Sequence, residues 1–206
     1  MPKSLLTALL LLFLTNIIFG QEIRKPHVQT TSATEKKIAT ATEFPDLVGL
    51  TGQKAPDFKA ASMDGTEYRL ENMRGKIVVV NLWATFCAPC ITEMPKLNSL
   101  TEKFKNQNVV FLAPAVDDKA LLKGFLEKHE FKFQVLPGSF GIVREYAPKK
   151  KASLPADNPG SFVMLLPTHL VIDREGTIVK HFWGFKETTV DELSQTIEQL
   201  LAKNPQ

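Results

Sequence analysis

Cysteine is almost missing from this chain: two occur among 206 residues, at Cys87 and Cys90. Two cannot build a disulfide-rich scaffold or a four-cysteine zinc site, so a single pair carries whatever sulfur chemistry there is. A surplus of one charge is missing too, since 25 Lys and Arg against 22 Asp and Glu leave a net +3. Beyond Lys149-Lys150-Lys151 there is no basic stripe, and nothing points to nucleic-acid binding. Internal repeats are absent. What is present, 44% hydrophobic and 23% charged residues with 14 Phe, fits a globular chain rather than a disordered one or a bundle of membrane helices. The length suits one ordinary domain of about 100–150 residues with extensions, and is short for two.

Long hydrophobic runs are confined to one place. Met1-Pro2-Lys3 is followed by an uncharged stretch from Ser4 to Gly20 dominated by Leu, Ile and Phe. One Lys before a short apolar stretch is the pattern of a secretory signal peptide. Read instead as an uncleaved segment, residues 4–20 would be a membrane tether near the lower length limit for a spanning helix, diluted by Thr7, Thr15 and Asn16. A buried core helix is the third reading. Ile18 is a poor residue before a cleavage site, Gly20 before Gln21 an acceptable one, and no cysteine near position 20 could take a lipid. The first two readings place the rest of the chain outside the cytosol, in the periplasm or cell envelope, where disulfide chemistry is permitted. Residues 21–46 are polar and Thr-rich and read as a flexible linker, and 47–203 as the folded domain.

Within that domain, Met63-Asp64-Gly65-Thr66 lies between two short extended runs, an Asp-Gly hairpin signal. Ile77 to Trp83 is nearly all apolar and suits a strand buried on both faces. The period then changes. Cys90, Met94, Leu97, Thr101 and Phe104 mark one helix face, with Pro95 inside the helix, where a kink is expected. Val109–Val116 reads as a strand, and Leu121, Leu122, Phe125 and Leu126 as a helix capped by Asp117 or Asp118. Phe131–Leu136 is a short strand. Leu170–Ile172 and Thr177–Phe182 are two strands around a turn, Asp173–Gly176. A last helix carries Val190, Leu193, Ile197, Leu200 and Leu201, with Thr189 and Glu192 as a capping box. The order argues for an α/β fold with a central mixed β-sheet flanked by helices and an N-terminal β-hairpin extension. Ala147–Gly160, rich in Lys and Pro, reads as an irregular surface insertion whose lysines are solvated.

The chemistry sits at the junction of the first long strand and the first helix, in Trp83-Ala84-Thr85-Phe86-Cys87-Ala88-Pro89-Cys90. Cys87 falls at or before the first turn, where unpaired N–H groups and the macrodipole favour a thiolate. Cys90, a turn further in and more shielded, is suited to attack a mixed disulfide. Pro89 fits the first turn, where its missing N–H is no loss. The competing readings are an inert disulfide and a half-formed metal site. A bridge across so few residues adds little stability, and His27, His129, His169 and His181 show no ligand spacing. A C-x-x-C beside a βαβ pattern is the signature of a redox pair.

Asn81 to Cys90, followed by Glu93-Met94-Pro95, resembles the active site of thioredoxin-like proteins, and more narrowly that of the TlpA/ResA-like thiol:disulfide oxidoreductases of the bacterial cell envelope. The resemblance runs from about Val48 to Ala202 and includes Ala55-Pro56-Asp57-Phe58, Val116-Asp117-Asp118 and Leu166-Pro167-Thr168. It implies a thioredoxin-like fold and a catalytic set of Cys87, Cys90 and Glu93. It also implies that Pro167 is cis and faces the disulfide, leaving backbone groups of Leu166 to pair with an extended substrate, with Phe86, Ala88, Pro89 and Thr168 completing the binding rim. Glu93, on the same helix face as Cys90, would relay the proton that Cys90 must lose; the competing reading is a solvated first-turn Glu that favours the helix dipole. Phe86 departs from the family's usual Trp, keeping an apolar rim and losing an N–H donor. His169 reads as a strand-edge residue.

The implied activity is an exported, monomeric protein disulfide reductase, in cytochrome c maturation by resemblance. It would act on disulfide-bearing client proteins and be recharged by a membrane thiol electron donor, with no cofactor and no metal. A thiol peroxidase is the alternative, although of its peroxide pocket only Thr85 is in place. A copper-delivery protein using the thiols and His169 is the third reading; that family spaces its cysteines one residue wider.

Overall fold

The computed structural model describes residues 49–151 and 162–203. The expected signal or tether and the linker lie outside the described residues, among which no helix is long and apolar enough to cross a membrane. The chain enters through β1 (Lys59–Ala61) and β2 (Glu67–Arg69), an antiparallel pair. Gly65 holds φ +91° in their turn, a conformation open to glycine. The Asp64 carboxylate accepts from the Ser62 hydroxyl at 2.5 Å and from the Thr66 amide at 2.9 Å, and these bonds hold its pKa down to about 2.

A 3-10 turn at Leu70–Met73 leads into β3 (Ile77–Leu82), then α1 (Ala88–Lys103), β4 (Val109–Pro114), α2 (Lys119–Leu126) and β5 (Gln134–Leu136). α3 (Phe140–Tyr146), β6 (Lys149–Lys151), β7 (Phe162–Met164), β8 (Thr168–Ile172), β9 (Ile178–Trp183) and α4 (Thr189–Lys203) follow. The central sheet has five strands in the order β5-β4-β3-β8-β9, with β3, β4 and β5 mutually parallel, β8 antiparallel to β3, and β9 antiparallel to β8. This is the expected mixed sheet of a thioredoxin-like fold.

Every side chain of β3 is buried, as a central strand covered on both faces requires. Alternation sends Ile77 and Val79 into a core with Leu97 and Leu100 of α1 and Leu193 and Ile197 of α4. Val78, Val80 and Leu82 enter a second core with Phe58, Leu70, Tyr146 and Ile172. Full burial of one such aliphatic side chain is worth roughly 1.5–3 kcal/mol. The strand is therefore held by both of its faces, and a polar residue in it needs its own partners. Asn81, on the α1 side by parity, is that residue.

Several elements differ from the sequence reading. β5 begins at Gln134 rather than Phe131, because Phe131 and Phe133 stack on each other at 5.0 Å and Phe131 meets the Trp83 ring edge-on at 5.5 Å. Lys149–Lys151 is not irregular: it is β6, paired antiparallel with Phe162–Met164. The remainder of the expected insertion, 152–160, lies outside the described residues. α3 was not foreseen. Its Tyr146 hydroxyl donates to the Pro56 carbonyl and its ring meets Phe58 edge-on at 6.1 Å, which ties down the opening segment of the domain. Asp118 caps α2 by accepting from the Leu121 amide at 2.8 Å. At α4 it is Thr188 rather than Thr189 that bonds Glu192: the Thr188 hydroxyl donates to the Glu192 carboxylate at 3.0 Å, and Thr189 is the buried first helical residue.

Candidate active site

α1 starts where β3 runs out, and Cys87 is its N-cap residue, in extended conformation. Its sulfur is bonded to that of Cys90, with the two Cα atoms 5.3 Å apart. The two are unequal, as expected. Cys87 keeps 8% of its surface and Cys90 1%. Pro89 lies in the first turn, and the Cys87 amide closes the preceding turn by donating to the Ala84 carbonyl at 3.1 Å.

That turn is braced from the β4–α2 connection. The buried Asp117 carboxylate accepts from the Thr85 amide at 2.7 Å and from the Thr85 hydroxyl at 3.0 Å. The threonine counted toward a peroxide pocket is thus committed to a structural bond. Asp117→Ala strands the Thr85 donors, and hydrogen bonds to a charged group are worth about 1.5–3 kcal/mol. Urea denaturation of Asp117→Ala should therefore show a loss of about 2 kcal/mol, and a change below about 0.5 kcal/mol would remove Asp117 from this role.

Phe86 is 77% exposed, and Ala88 and Pro89 are exposed beside it, forming an apolar ridge next to the Cys87 sulfur. The Leu166–Pro167 peptide bond is cis. Thr168 stands opposite Leu82 in the β3–β8 pairing, so Leu166-Pro167 lies alongside the end of β3 from which the cysteine turn departs. Thr168 is fully buried, its hydroxyl donating to the Leu165 carbonyl at 2.6 Å, while the Pro167 carbonyl accepts from the Gly184 amide at 2.8 Å. Thr168 therefore shapes the loop from beneath rather than lining a rim. No hydrogen bond among the described residues engages the Leu166 N–H or carbonyl. Phe185, half-exposed just after Gly184, is an apolar neighbour of this loop that the sequence reading missed.

Glu93 is not solvated. It keeps 2% of its surface, one helical turn beyond Cys90 on the face of α1 that covers the sheet. His169 is not at a strand edge either: β8 lies inside the sheet between β3 and β9, and His169 is fully buried. Register explains their meeting. His169 pairs with Asn81, and both project toward α1, from which Glu93 descends. Asn81 Nδ2 lies 3.2 Å from Glu93 Oε1 and 3.1 Å from His169 Nδ1, and His169 Nε2 lies 3.1 and 3.2 Å from the two Glu93 oxygens. Both imidazole nitrogens of His169 face protein partners within this ring. The strand pairing that brings it there is not visible in the local pattern around His169.

Residues 51–181, more than half of the chain, match the AhpC/TSA family. The chain is 34% identical over 149 residues to the thiol-disulfide oxidoreductase ResA of Geobacillus thermodenitrificans, covering 72% of this chain and 77% of that protein. It is 29% identical over 151 residues to the ResA of Bacillus anthracis, covering 72% and 78%. Among solved structures it is similar to a candidate thiol:disulfide interchange protein DsbE from Chlorobium tepidum, with TM-score 0.60, 27% identity and coverage of 73% and 97%. A C-x-x-C disulfide at a helix N-terminus beside a cis-proline loop, on this sheet and with these relatives, has one consistent reading: the chain belongs to the AhpC/TSA family, as a thioredoxin-like, ResA-like thiol:disulfide oxidoreductase.

Proposed function

We propose that this protein is an exported reductase of protein disulfides, working as a monomer in the periplasm or cell envelope. The observation that carries the reading is the unequal cysteine pair: Cys87 at the helix N-cap with residual exposure, Cys90 buried behind it. In the reduced protein, the Cys87 thiolate, favoured by the α1 N-terminus, attacks a client disulfide and releases one client thiolate. Cys90 gives its proton to Glu93 and attacks the Cys87 sulfur of the mixed disulfide. The second client thiolate leaves, and Cys87–Cys90 is the oxidised product. Phe86, Ala88 and Pro89 offer an apolar ridge, and the backbone of Leu166 offers strand-like hydrogen bonds to an extended client segment. A membrane thiol donor then returns two electrons to the pair. Cytochrome c maturation is the envelope task this reading favours, by resemblance to the ResA-like proteins. The chemistry needs no cofactor.

Direction is decided by the reduction potential of Cys87–Cys90 in the full chain, read by thiol trapping across a dithiothreitol series. A value below roughly −220 mV supports a reductase, and one near −120 mV makes the protein an oxidant and overturns the proposal.

A further inference from the structure

The ring formed by Asn81, Glu93 and His169 has an internal logic that neither the fold nor the disulfide demands. An amide NH2 group has two hydrogens, and here Nδ2 of Asn81 faces two acceptors, Glu93 Oε1 at 3.2 Å and His169 Nδ1 at 3.1 Å. With Nδ1 accepting, the imidazole proton resides on Nε2, which points at the Glu93 carboxyl at 3.1 and 3.2 Å. Every hydrogen bond in the ring is then donated toward Glu93 or supports a residue that does so. With the Glu93 carboxyl as the acceptor, turning the Asn81 amide over to suit a proton on Nδ1 would set its oxygen against Glu93 Oε1. In this arrangement the Glu93 carboxyl accepts from both Asn81 and His169.

From this we infer that His169, with Asn81, is a positioning residue for the resolving half of the exchange: it keeps Glu93 aimed and in acceptor form for the Cys90 proton. The inference rests on the relay role proposed for Glu93. The step balances. The Cys90 S–H proton goes to Glu93, the sulfur lone pair forms the S–S bond to Cys87, and the Cys87–client bond breaks with its electrons leaving on the client thiolate. Without His169, the carboxyl, which keeps 2% of its surface, loses its donors on one side. A buried carboxylate short of donors takes up a proton or turns away. Either outcome slows Cys90 and leaves the attack by Cys87 untouched, because that attack draws on the α1 N-terminus rather than on Glu93.

The test separates the two steps in the reduced full chain with oxidised glutathione as the probe disulfide, using acid quench and mass spectrometry of the Cys87–glutathione intermediate. In His169→Ala the intermediate should persist at least about tenfold longer, as expected for loss of assisted proton transfer, while its formation changes less than about twofold. His169→Gln, which supplies an N–H to Glu93 and an oxygen to Asn81, should restore its lifetime to within about threefold of the parent. In a Glu93→Gln background, His169→Ala should add less than about twofold, since the two act as one unit. Should His169→Ala not fold, His169→Asn carries the same expectation, being long enough to meet Asn81 and too short for Glu93. Equal slowing of both steps, or a normal lifetime in the His169 variants while Glu93→Gln prolongs it, overturns the inference and leaves the relay standing. A normal lifetime in Glu93→Gln removes the relay itself, and the inference with it.

Discussion

Replacing Cys87 by serine is expected to abolish disulfide exchange, while replacing Cys90 by alanine is expected to halt it at a covalent intermediate. The two outcomes differ because the two sulfurs differ in place. Cys87 is the N-cap residue of a helix of 16 residues, at the positive end of the helix dipole, and it keeps 8% of its surface. Cys90 is inside the first turn at 1%. A client disulfide can reach the first and not the second. Serine keeps the shape and loses the anion, since an alcohol does not ionise where a thiol does. Removal of an enzyme nucleophile elsewhere costs on the order of 10⁶ in turnover, so activity in a disulfide-reduction assay should fall at least about 10⁴-fold, below detection. Cys90→Ala still attacks and cannot resolve. Non-reducing electrophoresis should therefore show client adducts with Cys90→Ala that vanish on adding dithiothreitol, and none with Cys87→Ser. Adducts on the Cys87→Ser chain would reverse the assignment of roles.

The placement of the two sulfurs was legible in the sequence because the information is local. A long apolar run that ends in a C-x-x-C, with Pro89 in the first turn, sets strand, turn and helix within fourteen residues, Ile77 to Cys90. The hairpin at Asp64-Gly65 and the α2 cap at Asp118 are local in the same way, and both stand where they were expected. What escaped depends on partners far along the chain. His169 acquires its meaning only from sitting opposite Asn81, 88 residues earlier, in a strand pairing that no periodicity displays. Burial of Glu93 depends on the same pairing, which is why a solvated carboxylate remained a fair reading of the helix alone. α3 has seven residues, follows Pro137-Gly138 and contains Gly141, too short and too interrupted for a helical period to register. β6 finds its partner only after the stretch 152–161, and three lysines in a row give no alternation to read. That Thr188 rather than Thr189 bonds Glu192 at the start of α4 is a choice between adjacent threonines that the fold makes and composition does not.

Trp83→Ala should be the most destabilising of the substitutions considered, because Trp83 joins the sheet, α2 and the cysteine turn at a single fully buried side chain. Its ring packs at 5.5 Å on Phe125 of α2 and at 5.5 Å on Phe131, and its indole N–H donates to the Ala113 carbonyl in β4 at 3.3 Å. Its backbone continues β3 by a bridge to Ala115. Truncating a buried aromatic removes the transfer energy of the ring and leaves a cavity that the surrounding rings cannot close, a loss of about 3–5 kcal/mol. Against a typical domain stability of about 5–15 kcal/mol, that is roughly a fifth or more of the whole. With a urea m-value near 2 kcal/mol/M, the midpoint of the oxidised protein should drop by roughly 2 M. Trp83→Phe keeps much of the packing and gives up the indole hydrogen bond, so it should fall between the two. Circular dichroism during urea titration measures all three proteins, and a midpoint shift below about 0.5 M for Trp83→Ala would show that the ring packing contributes little. The same variants bear on the site. If Trp83 acts through stability alone, the folded fraction of Trp83→Phe should exchange disulfides at the parent rate. If it also fixes the turn from Ala84 to Cys87, the rate per folded molecule should fall while Asp117 still holds Thr85.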